Sequence, residues 1–182
     1  EIAPVTGASI PDSSLMRRVP GAHLTRTEVP LGGASSVPEW WRELFERATD
    51  GSIYVSPAWV QTWLELYGRD FSGSWLRWQA GAATVAGCLL LRRTVWRLGW
   101  PMATLCVNGS NDTRQRSPTI EFNRVLRLPG YDELIARDLA LAVSQRRWTR
   151  LEMSGYEDSV LARSLLAQLP LVDPDRQLPG QR

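Results

Sequence analysis

The sequence reads SPAWVQTWLELYG from Ser56 to Gly68. A serine followed by a proline is typical of a helix start, because the seryl oxygen accepts free backbone N–H groups and proline fits the first helical position. Gly68 can end the helix in a left-handed conformation. Apolar residues recur between them at intervals of three and four, so one broad face of this helix is predicted to lie in a core.

The composition sets the class of protein and excludes several chemistries. A chain of 182 residues, 43% of them hydrophobic, is long enough for one sizeable domain. All 21 basic residues are arginine, so catalysis by a lysine Schiff base and a P-loop lysine are excluded. His23 is the only histidine, which argues against a Ser-His-Asp triad and against a histidine metal site; we expect no metal. Cys88 and Cys106 lie in apolar surroundings and are expected to be buried, inert thiols.

The two ends of the chain differ in composition from its middle. Residues 1–22 are rich in proline, glycine, alanine and serine, which is typical of a disordered tail or linker. Residues 171–182 are expected to be a tail or the start of a second domain that this chain lacks, with the folded domain at 23–170. The longest apolar run, 85–91, is too short to span a bilayer, so we expect no membrane span and a cytoplasmic location.

Periodicity and turn residues predict the remaining elements. A capping box at Ser36–Glu39 precedes the first helix. A hairpin is expected at Gly81, with Gly87 as a bulge or a point of close approach. The predicted helices are 38–48, 56–68, 132–146 and 158–169, and the predicted strands are 24–29, 75–80, 84–92, 94–98, 104–107, 119–126 and 148–153. This order predicts a mixed α/β (α+β) domain with a mainly antiparallel sheet flanked by helices.

The chain resembles the GNAT acetyltransferase superfamily, and within it the two-domain bacterial branch of CelD-like and FemAB-like acyltransferases. The resemblance covers about residues 24–170 and rests on the Ser56–Gly68 helix, the Gly81 hairpin running into VAGCLLLR, the segment IEFNRVL at 120–126, the 132–146 helix and WTRLEM at 148–153. It implies transfer of an acyl group from acetyl-CoA or another acyl-CoA to an amine or hydroxyl acceptor. The acceptor is expected to be a small molecule or a cell-envelope or polysaccharide precursor.

The resemblance also implies a place for the cofactor. GNAT enzymes bind the acyl-CoA pyrophosphate on backbone N–H groups at the start of the central helix, where unpaired amides and the positive helix end attract phosphate. Arg127 and Gly130 match that loop and are the candidate cofactor-binding residues. Pro129 lacks an N–H, and Asp132 places a negative charge at the site, so the loop departs from the family pattern. The family's proton-donating tyrosine falls near Leu165 or Leu166, which carry no such proton.

These departures favour the N-terminal GNAT-like half of a two-domain acyltransferase whose missing C-terminal half binds acyl-CoA. Glu121 is the candidate catalytic carboxylate, as a base or as an acceptor-orienting group; the alternatives are a solvated glutamate on a strand face and a partner for Arg124. Asn111 and Asp112 are the candidate substrate-binding residues, with an ordinary solvated loop as the alternative. We expect the chain to be part of an enzyme. Whether it is active on its own is left open by the sequence.

Two further functions stay open from the sequence. A non-catalytic GNAT-like domain could hold a partner domain or a sugar-containing precursor on exposed tryptophans; Trp75 and Trp78, for example, fall on opposite faces of one strand. A nucleic-acid site could combine arginines with aromatic residues at Arg92, Arg93, Trp96, Arg97 and Trp100. The net charge of +2 argues against nucleic acid, and we expect no such partner.

Overall fold

A computed structural model describes residues 23–32, 36–48, 51–110, 120–156 and 160–169. Within these ranges the strands are β1 (Leu24–Pro30), β2 (Ser72–Ala80), β3 (Ala83–Arg97), β4 (Trp100–Val107), β5 (Leu126–Arg127) and β6 (Arg150–Glu152). The helices are α1 (Glu39–Arg47), α2 (Pro57–Tyr67), α3 (Asp132–Ser144) and α4 (Val160–Gln168). The predicted mixed α/β class, with a mainly antiparallel sheet flanked by helices, is confirmed. The predicted tails at 1–22 and 171–182 lie outside the described residues.

The strands form one sheet in the order β1-β2-β3-β4-β6, and β5 pairs with the first part of β3. Every named pair is antiparallel except β4 and β6, which run parallel through three residue pairs from Thr104↔Arg150 to Cys106↔Glu152. In sequence, α3 lies between these two parallel strands, as a parallel connection requires. No helix in the described ranges has the length and apolar character needed to cross a membrane.

Both faces of the sheet are covered, which places the core in two layers. Trp75 of β2 packs with α1 and α2, whereas Trp78 of the same strand packs with α3 and α4. Both side chains are buried, at 3% and 0% exposure. The alternation of a strand therefore places one tryptophan in each layer, and neither is available as a sugar-binding platform.

The helix ends show where local sequence determined structure and where it did not. Ser56 accepts a hydrogen bond from the backbone N–H of Trp59 at 3.3 Å, which confirms the predicted cap of α2. Gly68 is wrong as a left-handed stop, because its φ is −67° and the chain continues into a 3-10 turn over Gly68–Asp70. The capping box at Ser36 is also wrong, because α1 begins after Pro38, which makes no side-chain cap.

The central hairpin follows the prediction with one change. β2 and β3 pair antiparallel around a turn at Gly81, whose φ is +59°. The register shift lies between Trp78 and Gln79, so Gly87 is not the bulge. It is a close-approach point: a Cβ at Gly87 would lie 2.5 Å from Trp40 Cζ3 of α1. Glycine at this position lets α1 pack directly against the sheet.

The predicted strand at 119–126 is the clearest error. Residues 120–125 are irregular, apart from a single bridge between Asn123 and Tyr156, and only Leu126 and Arg127 pair as β5. Phe122 has a φ of +52°, which breaks an extended run. Ile120 and Val125 of this segment are buried, each at 1% exposure, whereas Phe122 is 53% exposed.

Candidate functional site

The predicted cofactor residues do lie beside the first turn of α3, where Gly130 has a φ of +90°. The guanidinium Nε of Arg127 donates to Asp132 Oδ1 at 2.6 Å, and both side chains are mostly buried, at 16% and 15% exposure. Asp132 and Glu133 are both in the first helical turn, where negative charge is favoured by the helix dipole. The chain's own carboxylate therefore occupies the place at which a phosphate would be attracted.

Glu121 lies on the irregular segment and not on a strand, and its side chain is exposed. Its backbone lies against the turn that follows β6, because a Cβ at Gly155 would be 3.2 Å from Glu121 Cα and 2.1 Å from the carbonyl oxygen of Ile120. No ion pair links Glu121 to Arg124 or to any other described residue. Asn111 and Asp112 lie outside the described residues.

A group of polar side chains that sequence reasoning did not bring together lies at the carboxyl ends of β4 and β6. We call it the strand-end cluster; its members are Arg93, Asn108, Ser110, Asn123, Glu152, Ser154 and Tyr156. In open α/β sheets, ligands commonly bind in the crevice outside the carboxyl ends of the strands. The location makes this cluster the natural candidate site, and its contacts determine whether anything can enter.

Glu152 is the centre of the cluster. Its Oε1 accepts from the hydroxyls of Ser110 at 2.6 Å and Ser154 at 2.8 Å, and its Oε2 lies 3.6 Å from Arg93 Nη2. Arg93 also donates to Ser110 Oγ at 3.1 Å, and its guanidinium lies over the ring of Phe71 at 5.3 Å. With side-chain exposures of 8% for Arg93 and 11% for Glu152, this is a buried ion pair whose charges are compensated by hydrogen bonds.

Two asparagines fill the space between the strands. Asn108 has a φ of +57°, accepts from the N–H of Leu89 at 2.6 Å and donates to the carbonyl of Arg124 at 2.6 Å. Asn123 Nδ2 donates to the carbonyls of Val107 and Ser154, both at 3.1 Å, and so joins the two strand ends. Asn123 is only 1% exposed, and its Oδ1 finds no hydrogen-bond donor in the described part of the chain.

Burial also raises the pKa values of three groups, those of Tyr156, Cys106 and Cys88. Burial raises the pKa of the Tyr156 hydroxyl well above its usual value of 10.0, and Asn108 Nδ2 lies 3.4 Å from this oxygen. Burial and the Glu152 carboxylate raise the pKa of Cys106 to about 12, and burial raises that of Cys88 as well. Both cysteines are free and buried, which confirms the prediction of unreactive thiols.

The arrangement supports packing more than catalysis. Ser110 is 1% exposed and bonded to a carboxylate that is already paired with Arg93, so its hydroxyl is not an accessible nucleophile. The described residues contain no group of three or more histidine, cysteine or acidic side chains that could hold a metal ion. Leu165, one of the two positions matched to the family's tyrosine, is fully buried in the core.

The signal for this cluster was present in the sequence but weak. Asn108 and Gly109 form a typical turn dipeptide directly after a strand, and Glu152 is a lone acid within a short strand. Nothing local indicates that Arg93, which is 59 positions before Glu152, lies beside it. The pairing is a product of the β3-β4-β6 strand order.

Two exposed tryptophans lie at the opposite end of β4. Trp96 and Trp100 are 67% and 76% exposed, on either side of the turn that carries Leu98, which is 94% exposed. These are exposed tryptophans of the kind that the sequence left open as a surface for a partner domain or a sugar-containing precursor. The predicted arginine and aromatic patch is also incomplete, because Arg93 points into the strand-end cluster.

Comparison with known proteins does not assign this chain to a family. The chain matches no protein-family profile, no curated protein sequence and no solved structure.

Proposed function

We propose that this chain is the N-terminal, GNAT-like half of a two-domain acyltransferase that moves an acyl group from acyl-CoA to an amine or hydroxyl acceptor, in cell-envelope or polysaccharide biosynthesis in the cytoplasm. In this proposal the chain supplies part of the acceptor side and a C-terminal half binds acyl-CoA. The order of two helices, an antiparallel meander, a helix, a parallel strand and a further helix is consistent with the resemblance.

The ion pair between Arg127 and Asp132 is the observation on which we base the assignment of acyl-CoA binding to the C-terminal half. A pyrophosphate needs unpaired N–H groups and positive charge at the start of α3. Here the Arg127 guanidinium is bonded to Asp132, Pro129 lacks an N–H, and Glu133 adds a second negative charge. A diphosphate would have to displace Asp132 while being repelled by both carboxylates.

Asn123 supports the same conclusion at the ends of β4 and β6. It bonds to the ends of both strands and holds them together. An acyl chain that entered between β4 and β6 would have to break those bonds and leave the buried Asn123 amide without hydrogen-bond partners. Glu121, exposed at the edge of the strand-end cluster, is the carboxylate that we assign to orienting the acceptor.

The test is calorimetric titration of this 182-residue chain with acetyl-CoA and with longer acyl-CoAs. We expect no saturable heat and no thermal shift. Micromolar binding that Arg127→Ala removes and Arg137→Ala keeps would overturn the proposed division, because the chain would then bind the cofactor itself. Arg137 is a suitable control because it lies exposed on α3, away from its first turn.

A second candidate function is favoured by the exposed hairpin. Trp96 and Trp100 could stack on sugar rings of a precursor, which is the non-catalytic role that the sequence left open. Fluorescence titration with oligosaccharides would separate the two proposals. A response that disappears in Trp96→Ala, with no acyl transfer when the C-terminal half is supplied, would favour the binding role.

A further inference from the structure

An open cleft of about 430 Å³ lies at the end of the sheet opposite to the start of α3. Leu90 and Leu105 form its apolar floor, Ser72–Ser74 of β2 form one wall, and three arginines form the rest. Two of these, Arg146 and Arg147, directly follow α3. A helix of 13 residues separates this cleft from the start of α3 by roughly 18 Å. The cleft is therefore a different place from the cofactor site that the resemblance implies.

The three arginines do not have the same surroundings. Arg146 is fixed by the Glu28 carboxylate and by the carbonyl of Ala142, so its charge is neutralised. Arg92 and Arg147 are exposed, and neither makes an ion pair with the described part of the chain. Two exposed arginines without an ion-pair partner in the described part of the chain thus line one cleft, and none of its lining residues is acidic.

Arginine is the side chain best suited to a tetrahedral anion. Its planar donors match two phosphate oxygens at once, and its charge persists at any pH at which the protein folds. Ser72 Oγ donates to the carbonyl of Arg92, which ties this arginine's backbone to β2. The donors for a ligand would therefore come from Arg92 and Arg147, on a rigid sheet and at a helix end.

We propose that this cleft binds a phosphate group, held between Arg92 and Arg147 over the floor of Leu90 and Leu105. The ligand would be a diphosphate or phosphate ester, either free in solution or as the headgroup of a lipid. This goes beyond the proposed acyltransferase role, and it does not depend on it.

Inorganic pyrophosphate, titrated by calorimetry at fixed ionic strength, is the first probe, because salt screens exposed charges. We expect saturable binding that the double variant Arg92→Gln/Arg147→Gln weakens about tenfold or more, equivalent to about 1.4 kcal/mol. The matched control is Arg137→Gln/Arg150→Gln, which removes two exposed arginines outside the cleft and changes the net charge equally. We expect the control to bind within about twofold of the native chain, since two distant charges are largely screened.

A second arm identifies the source of the phosphate. Vesicles of phosphatidylcholine alone are compared with vesicles that also contain phosphatidic acid. Binding to the anionic vesicles without binding of pyrophosphate supports a lipid headgroup, and binding of pyrophosphate without vesicle binding supports a soluble ligand. If neither probe binds, or if the control variant loses as much affinity as the cleft variant, the proposal is wrong. Circular dichroism of both variants establishes that they are folded.

Discussion

Asn108 shows how one residue can hold several parts of this fold together. Its left-handed backbone turns the chain away from β4, and its side chain replaces a backbone partner for Leu89. Asparagine tolerates this conformation better than other residues with a side chain, and its amide both donates and accepts. Together these contacts close the end of β4, beside which Asn123 joins the two parallel strands.

We expect Asn108→Ala to lower the free energy of unfolding by about 3 kcal/mol, because two buried backbone groups lose their partners and alanine is strained at this φ. Asn108→Gly loses the same bonds without that strain, so it should be less destabilised than the alanine variant. Urea denaturation followed by tryptophan fluorescence measures both. An alanine variant as stable as the native chain would contradict the assigned role.

At the scale of elements, the β3–β4 hairpin has an unusual turn. Leu98 and Gly99 have φ values of +51° and +80°, the pattern of a turn that normally carries asparagine and glycine. Leucine in this conformation is strained, and its side chain is 94% exposed. The exposed side chain gains too little from burial to offset that strain.

We therefore expect Leu98→Asn to raise the free energy of unfolding by about 1 kcal/mol, because asparagine relieves the strain. Leu98→Val is the matched comparison and should be destabilising, since a β-branched side chain is disfavoured at positive φ. Thermal unfolding monitored by circular dichroism ranks the three proteins. If the asparagine variant melts below the native chain, the turn is not strained as described.

Elements with local signals were predictable, and elements set by the rest of the fold were not. The α2 helix was found from its serine cap and its apolar spacing, and the hairpin from Gly81. The 119–126 strand failed because Asn123 bonds to two strand ends that are distant in sequence. Arg127 and Gly130 were placed correctly beside α3, but the ion pair to Asp132 depends on side-chain geometry that spacing does not encode.

At the scale of the whole molecule, long-range ion pairs fasten the outer strand to the helical layer. Arg26 of β1 bonds to Asp138 of α3 at 2.8 Å, and Glu28 bonds to Arg146 beyond the end of that helix. These contacts span more than a hundred positions of sequence and hold β1 against both β2 and α3. The contact of Glu28 also makes the stability of the domain depend on pH.

The direction in which stability changes with pH follows from the pKa of Glu28. Burial alone would raise its pKa, but the hydrogen bond from Ser74 and the Arg146 guanidinium together lower it below its ordinary value of 4.5. A lowered pKa in the folded state means that the stabilisation is present above the pKa of the unfolded state and is lost as the pH falls through the pKa of the folded state.

We expect the unfolding free energy of the native chain to fall between about pH 5 and pH 3, and Glu28→Gln to reduce this slope. Glu43→Gln, which removes an exposed carboxylate without a described partner, should leave the slope unchanged. Urea midpoints of the three proteins across that range measure the effect; equal slopes for the native chain and Glu28→Gln would show that this pair contributes nothing to acid sensitivity.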